Sequence, residues 1–369
     1  PRLASLSPPI PAPSTRRGTE KFRQNLPEFC RGIFFPWMKG RGAPREGARA
    51  MRHARLKPDW QDTWHHCYNH AVGTADDRPF GRAEKEEFVR ILMRVALFYA
   101  VRIVAYQVMS NHWHILLQAP KDAPSEEETI RRFEAFHRGR RKLMPGSKLC
   151  NQWRQRLRDV SWCMRHLQHL YTNWFNRSRR VRRKGPLWAG RFKNTILETG
   201  PALWACWAYI ERNPVRAKMV GDPGDYRFCS YGVWTQTGRH PFEDALVEVL
   251  RPALPERLHA LDPAALRREL RREFDRLAAE DLARAGTPAV AAVPAKEPDG
   301  EVPFSLSARR RVRHWVDGLV IGSELFIRET MRRVRAEEEV ARHRLARTPE
   351  ATPLHPQVCC WHRLRAARD

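Results

Sequence analysis

The chain has 369 residues, of which 42% are apolar, so it can bury at least one sizeable core and is not a fully disordered protein. Its formal net charge of +26 is too large for a neutral globular surface and predicts a polyanionic partner. Lys supplies 11 of the 67 basic residues and Arg the other 56. Because the planar guanidinium suits phosphates and guanine edges, nucleic acid is favoured over a membrane as the partner.

Residues 1–55 are rich in Pro, Arg and Gly and lack apolar periodicity, which predicts a disordered segment. Met51 opens the phrase MRHARLKPDW, and we hypothesise that translation naturally starts there. The sequence has no run of about 18 apolar residues and no secretory signal at its start, so we expect a cytoplasmic protein with no membrane partner. The eight cysteines include no CxxC pair, which argues against structural zinc and a disulfide framework.

A compact domain is predicted over residues 56–242, with alternating strands and amphipathic helices. The predicted elements are a strand at 64–73, a helix at 83–99, strands at 101–109 and 113–118, a helical stretch from 126 to about 177, a strand at 187–197 and a helix from 201 to about 212. This order is typical of an α+β domain with a central antiparallel sheet.

Three regions follow this domain. Residues 243–285 form a predicted helical segment, residues 286–300 an Ala/Pro linker, and residues 301–369 a mostly helical C-terminal extension.

Two histidines carry the first chemical signal, in the phrase SNHWHILL. Side chains alternate along a strand, so His112 and His114 point to one face while Trp113 points to the other. Two imidazoles at this spacing suit one divalent metal ion. With fifteen histidines in the chain, one such pair is common by chance, and two ordinary strand histidines remain the alternative.

The helix PALWACWAYIERNP carries the second signal. Tyr209 and Asn213 lie about one turn apart, on a different face from the apolar stripe. The Asn213 carboxamide oxygen is a candidate third ligand for a metal held by the two histidines. Pro214 disfavours helical geometry at the preceding residue, so this relation is expected to be approximate. The alternative for Tyr209 is a half-buried packing residue.

Three phrases, AYQVMSNHWHILLQAP, GPLWAGRFKNTIL and AYIERNPVRAKMV, together resemble the REP-associated tyrosine transposases, a group within the single-tyrosine HUH transposases of bacterial insertion sequences. The resemblance covers about residues 51–242. It implies a ferredoxin-like HUH domain that cuts single-stranded DNA beside a hairpin and holds the 5′ end as a phosphotyrosine. On this pattern His112 and His114 are the HUH pair, Tyr209 is the nucleophile and Asn213 is the helix-borne third ligand.

The same resemblance sets the expected cofactor and partner. Mixed imidazole and carboxamide ligation suits Mg²⁺ or Mn²⁺. The expected partner is single-stranded or hairpin DNA of the repetitive extragenic palindrome kind, which would make the protein nucleoid-associated. The phrase DGLVIGSELF also resembles the tail of longer family members, where it would grip DNA or pack on the core.

The segment from Tyr171 to Lys193 has eight basic residues and no acid, and its cations alternate with aromatics that can stack on unpaired bases: Trp174, Phe175, Trp188 and Phe192. Its predicted phosphate contacts, with one more beyond the nucleophile helix, are Arg177, Arg179, Arg180, Arg182, Arg183, Arg191, Lys193 and Arg216.

Several alternatives stay open. Tyr171 is the rival nucleophile, although Phe175 stands where a ligand would be needed and packing or DNA contact is the favoured interpretation. A separate metal cluster of His65, His66 and His70 with Cys67 is one alternative. These histidines are instead interpreted as ordinary strand histidines near the rim of the site, because at most two share a face. Rival functions are a non-catalytic DNA- or RNA-binding module and a histidine-metal nuclease that uses water. The site can be assembled in a monomer or across a homodimer.

Overall fold

The structure is a computed structural model. By its contacts the chain divides into Pro1–His53 and Ala54–Asp369, and every described residue lies in the second unit. The described residues are 55–74, 77–178, 185–251, 256–262, 264–272, 276, 315, 318–335, 337–343, 345–347 and 359–362. The predictions of a disordered N-terminus, of a start at Met51 and of a linker at 286–300 therefore fall outside them, apart from residue 55.

A seven-stranded sheet forms the centre of this unit, in the order β2-β3-β1-β4-β5-β7-β6. Its strands are β1 Thr63–His70, β2 Arg102–Val108, β3 His112–Ala119, β4 Lys193–Leu197, β5 Gly318–Gly322, β6 Ala346–Arg347 and β7 Cys359–His362. The first four strands pair antiparallel throughout. The α+β class predicted from the sequence is confirmed.

Helices connect and cover the strands. Those described are α1 Arg82–Phe98, α2 Glu126–Phe136, α3 Lys148–Leu157, α4 Val160–Ser178, α5 Pro201–Arg216, α6 Ser230–Thr237, α7 Glu324–Arg332 and α8 Glu337–Arg342. Residues 243–250, 256–258 and 264–272 form further helical turns. In the part of the chain that is described, no helix is long and apolar enough to cross a membrane.

The two faces of the sheet are covered by different helices. Trp113 packs against Phe88 of α1, with ring centroids 5.9 Å apart. His114, the next residue of β3, contacts Tyr209 of α5. Since neighbouring side chains of a strand point to opposite faces, α1 and α5 lie on opposite sides of the sheet. One apolar core cluster includes residues of both helices, and the α5 side also holds polar side chains of β1 and β3.

The C-terminal extension contains strands as well as helices, so its prediction as mostly helical is incomplete. Strand β5 pairs parallel to β4, with Ile196 opposite Val320, and β7 and β6 continue the sheet. The apolar run between Gly318 and Gly322 is short and β-branched, a pattern that fits a buried strand. Residues of the predicted 56–242 domain and of the extension thus share one sheet.

Candidate functional site

The predicted metal-binding histidines lie on a face shared by β1 and β3. Tyr68 is paired with His114 and His70 with His112 in the antiparallel register. Residues directly opposite one another share a face, and so does His66, two residues before Tyr68. The His112 and His114 ring centroids are 5.1 Å apart. The structure therefore places both histidines of the pair side by side, as the strand alternation predicted.

Burial keeps both imidazoles neutral. His112 is 3% exposed and His114 is 1% exposed. Burial, with a smaller contribution from His70, lowers the pKa of His112 to about 3. Burial, with the neighbouring His66 and His112, holds the pKa of His114 well below its ordinary value. Neutral imidazole is the form that ligates metal ions, so these side chains are ready to bind one near neutral pH.

Tyr209 reaches this face from α5. The helix begins after Gly200, whose φ of +95° turns the chain, with Pro201 at the first position, where a missing N–H is tolerated. Its apolar residues anchor it, and Tyr209 itself is buried. The phenol ring meets the His114 ring nearly at a right angle, with centroids 5.5 Å apart, and lies 6.1 Å from the His66 ring. The predicted nucleophile and one predicted ligand are therefore neighbours.

Asn213 remains on the same helix as Tyr209. The structure continues α5 through Pro214 to Arg216, and the Ala217 N–H donates to the Asn213 carbonyl at 2.8 Å. The expected disturbance of helical geometry before Pro214 is therefore absent, and Asn213 follows Tyr209 by one turn. The Asn213 side chain is buried, and within the described residues its Nδ2 atom has no hydrogen-bond partner.

The chemistry of these side chains fits a divalent ion. The described residues hold no group of three His, Cys, Asp or Glu side chains able to bind a metal, so a third protein ligand would be an oxygen of another kind, for which the Asn213 amide is a candidate. Among the described residues the buried Nε2 atom of His114 has no hydrogen-bond partner. Such an orphan costs about 1–3 kcal/mol, which a ligand at that nitrogen would offset.

Two further side chains contact the Tyr209 ring. The Trp315 indole stacks on it at 5.6 Å between centroids, and the Arg216 guanidinium lies 5.3 Å from its centroid. Arg216 was predicted as a phosphate contact, whereas sequence reasoning missed Trp315. His66 was also missed, because it was interpreted as an ordinary strand histidine. Strand alternation puts His66 on the same face as Tyr68, but only the register of β1 against β3 shows that it reaches His114.

The predicted DNA-binding surface is described only in part. Arg179, Arg180, Arg182 and Arg183 lie outside the described residues. Arg177 and Arg191 are exposed and Lys193 is half-buried. The neighbouring aromatics differ from the prediction in one respect: Phe175 and Phe192 are 3% and 5% exposed, so they pack in the core and offer no face to a base.

Tyr171, the rival nucleophile, lies on the other side of the sheet. Its ring is fully buried and packs 5.0 Å from Phe88, in the layer that contacts Trp113. Its hydroxyl donates to the backbone carbonyl of Glu84 at 3.1 Å. The structure thus places Tyr171 as a packing residue, away from the histidine-bearing face.

Comparisons with known proteins yield a distant structural likeness. No protein-family model matches the sequence, and no curated protein matches it. Among solved structures, a match is that of a REP-associated tyrosine transposase bound to a REP hairpin, at a TM-score of 0.35 and 14% identity. The alignment covers 51% of this chain and 87% of the other.

Proposed function

We propose that this protein is a transposase-like single-stranded DNA endonuclease and strand transferase, which acts at hairpin or inverted-repeat DNA through a 5′-phosphotyrosine. The observation that carries the proposal is the contact between the Tyr209 phenol and the His114 imidazole, with ring centroids 5.5 Å apart. A candidate nucleophile and a candidate ligand meet in one buried site although 95 positions separate them in the sequence, by their numbers in the chain.

The strand order supports the same assignment. The first four strands, read as β4-β1-β3-β2, are all antiparallel and connected as βαββαβ, as expected for the ferredoxin-like domain that we propose. This order puts β1 and β3 in the middle of the four. The histidine pair therefore stands on a strand held on both sides, which fixes its geometry.

His112, His114 and Asn213 are the side chains that would hold a divalent ion, Mg²⁺ or Mn²⁺. When bound, the ion would polarise the scissile phosphate and reduce its charge. The protein contributes burial, which keeps the imidazoles neutral, and a strand and a helix that hold the three side chains. The orphaned Nε2 atom of His114 supports a ligand at this position.

Tyr209 would carry out the covalent step. Its hydroxyl oxygen forms a bond to phosphorus, the bond from phosphorus to the 3′ oxygen breaks, the phenol proton is lost and the 3′ oxygen gains a proton. Phenols ionise near pH 10, so negative charge on the oxygen has to be favoured as the bond forms. The Arg216 guanidinium, 5.3 Å from the ring centroid, supplies positive charge there.

The phosphotyrosine keeps the free energy of the broken bond. A 3′-hydroxyl can then attack it, release the Tyr209 phenol and rejoin strands with no nucleotide cofactor. Arg177, Arg191 and Lys193, together with the four arginines between 179 and 183, are the proposed contacts to the DNA backbone.

The test uses the full chain, hairpin DNA labelled at its 3′ end and Mn²⁺, with a denaturing and a native gel run in parallel. We expect a labelled adduct that survives denaturation. Tyr209→Phe should abolish the adduct and keep the native shift, while Tyr171→Phe serves as the matched control and keeps both. A shift without cleavage would identify a binding module, and cleavage without an adduct would identify a nuclease that uses water. Either result would overturn the proposal.

A further inference from the structure

His66 connects His114 to the C-terminal extension. The Nε2 atom of His66 lies 2.8 Å from Nδ1 of His114, and the Nδ1 atom of His66 lies 3.1 Å from the backbone carbonyl oxygen of Trp315. The two imidazole planes are within 15° of each other. A continuous chain of hydrogen bonds therefore runs from strand β3 through strand β1 to residue 315.

We propose that His66 is a positioning residue, which fixes His114 in the tautomer whose Nε2 lone pair faces the metal site. The assignment of a metal to that lone pair rests on the proposed function, whereas the tautomer itself does not. His66 touches neither substrate nor metal in this scheme, and acts only through His114.

The direction in which these hydrogen bonds donate follows from the last acceptor, the Trp315 carbonyl. A carbonyl oxygen can only accept, so Nδ1 of His66 must donate to Trp315. Burial of His66, which is 1% exposed, disfavours a charged ring. A neutral imidazole has one N–H, which leaves Nε2 of His66 as an acceptor. His114 must therefore donate from its own Nδ1. Its remaining nitrogen, Nε2, carries the lone pair.

The position of that lone pair agrees with burial. Among the described residues, Nε2 of His114 is a buried nitrogen without a hydrogen-bond partner. These hydrogen bonds thus direct an acceptor lone pair into a place where no donor of the described residues meets it. Metal-ligating histidines typically donate their other ring N–H to a protein acceptor, which fixes both ring orientation and tautomer.

The same tautomer is fixed in His112 by a different neighbour, Asn111. Its Nδ1 atom lies 2.7 Å from the Oδ1 atom of Asn111, the preceding residue. An amide oxygen can only accept, so His112 donates from Nδ1 and its lone pair is also on Nε2. The two histidines of the pair are therefore prepared alike, one by a neighbour in sequence and the other by His66.

The acceptor for His66 is itself held in place. The Thr195 hydroxyl of β4 lies 3.3 Å from the Trp315 carbonyl and 2.8 Å from the Gly318 carbonyl, at the start of β5. The pairing of β4 with β5 thus sets the position of the Trp315 carbonyl, which is the last acceptor in this row of hydrogen bonds. Through this carbonyl, the C-terminal extension contributes to the metal site without supplying a ligand.

The first test reads the tautomer in the metal-free protein. Nitrogen-15 NMR of the full chain with labelled histidines distinguishes Nδ1–H from Nε2–H, and loss of a signal in His114→Ala assigns it. We expect Nδ1–H on His114, and an increase of Nε2–H in His66→Phe. A wild-type His114 protonated at Nε2 would overturn the proposal, whether or not any His66 variant folds.

The second test measures Mn²⁺ affinity by electron paramagnetic resonance. His66→Phe should lower it about 10- to 100-fold, as for other residues that orient a ligand. His66→Gln should stay within a few-fold, because its amide oxygen can still accept from His114. His65→Phe is the matched control, since His65 is equally buried on β1 but points to the opposite face. Wild-type affinity in a folded His66→Phe would contradict the proposal.

The two proposals fail in different ways. If His112→Ala and His114→Ala both keep Mn²⁺ binding, the metal site in the proposed function is wrong, and the NMR experiment still decides the role of His66. If those variants lose Mn²⁺ while a folded His66→Phe keeps it, only the positioning role is wrong.

Discussion

The Trp315 indole stacks on the phenol ring of Tyr209, with centroids 5.6 Å apart and planes 20° apart. The His114 ring meets the same phenol nearly at a right angle. Two contacts from different parts of the chain thus restrain one ring. If Tyr209 attacks phosphorus in line with the bond that breaks, such restraint increases the reaction rate, because the hydroxyl is already oriented.

Replacing the indole should slow the covalent step and leave the metal site intact. In Trp315→Ala we expect the rate of adduct formation to fall about 10- to 100-fold, because misplacement of a reacting group has effects of this size. Mn²⁺ affinity should not change, since His66 bonds to the backbone carbonyl of residue 315.

Single-turnover assays with labelled hairpin DNA measure this rate. Trp315→Phe is the control, because it keeps an aromatic face and should stay within a few-fold of the wild type. An unchanged rate in Trp315→Ala would show that stacking on Tyr209 has no role in the reaction.

Removing the Asn213 amide should weaken metal binding. We expect Asn213→Ala to lower Mn²⁺ affinity at least about tenfold, equivalent to about 1.4 kcal/mol, while the native-gel shift with DNA remains. Asn213→Asp should keep the affinity, because a carboxylate oxygen also binds hard cations. Asn69→Ala is the matched control, since Asn69 is also buried but lies on β1 and faces away from the histidine pair. Equal affinities for Asn213→Ala and Asn69→Ala would remove Asn213 from the ligand set.

Local periodicity was enough to predict the parts of the site that lie within one element. Alternation along β3 placed His112 and His114 on one face, and helical spacing placed Asn213 one turn beyond Tyr209. The role of His66 depends instead on the register between two strands, which is set by pairing over 48 positions. The place of Trp315 beside Tyr209 results from a contact between residues 106 positions apart, which no local sequence pattern predicts.

Element boundaries show the same limit. The predicted helical stretch from 126 to about 177 is divided into α2, α3 and α4, with Gly139 and Gly146 at positive φ between α2 and α3. Glycine readily adopts the positive φ at which a helix ends. The helix end was missed because the sequence around these glycines is charged, as it is within the helices. Strand β5 is only five residues long, and a short apolar run does not distinguish strand from helix until its partner β4 is known.

Tyr171→Phe should affect stability and not chemistry. The Tyr171 hydroxyl donates to the Glu84 carbonyl, and its loss should lower the free energy of unfolding by about 1 kcal/mol. Urea denaturation measures this change, and the adduct assay should give the wild-type yield. Tyr209→Phe is the reciprocal control. Loss of the adduct in a folded Tyr171→Phe would make Tyr171 the nucleophile and contradict the site described above.

Glu211 connects helix α5 to the start of α6 and should make stability depend on pH. Its fully buried carboxylate accepts hydrogen bonds from the Tyr231 N–H at 3.0 Å and from the Ser230 hydroxyl. Burial raises the pKa of Glu211 to about 7, although these hydrogen bonds act in the opposite direction. The folded protein therefore holds this proton more tightly than the unfolded chain does.

The stabilisation from this proton is complete below pH 4.5, declines as pH rises and is lost above about pH 7. In Glu211→Gln the side chain stays neutral and can still bond both partners, so this dependence should disappear. Between pH 4.5 and 8 we expect the unfolding free energy of the wild type to fall by about 3 kcal/mol relative to Glu211→Gln. Urea denaturation of both proteins across this range measures the difference, in which the shared histidine titrations cancel. Parallel pH profiles for the two proteins would show that Glu211 titrates alike in the folded and unfolded states.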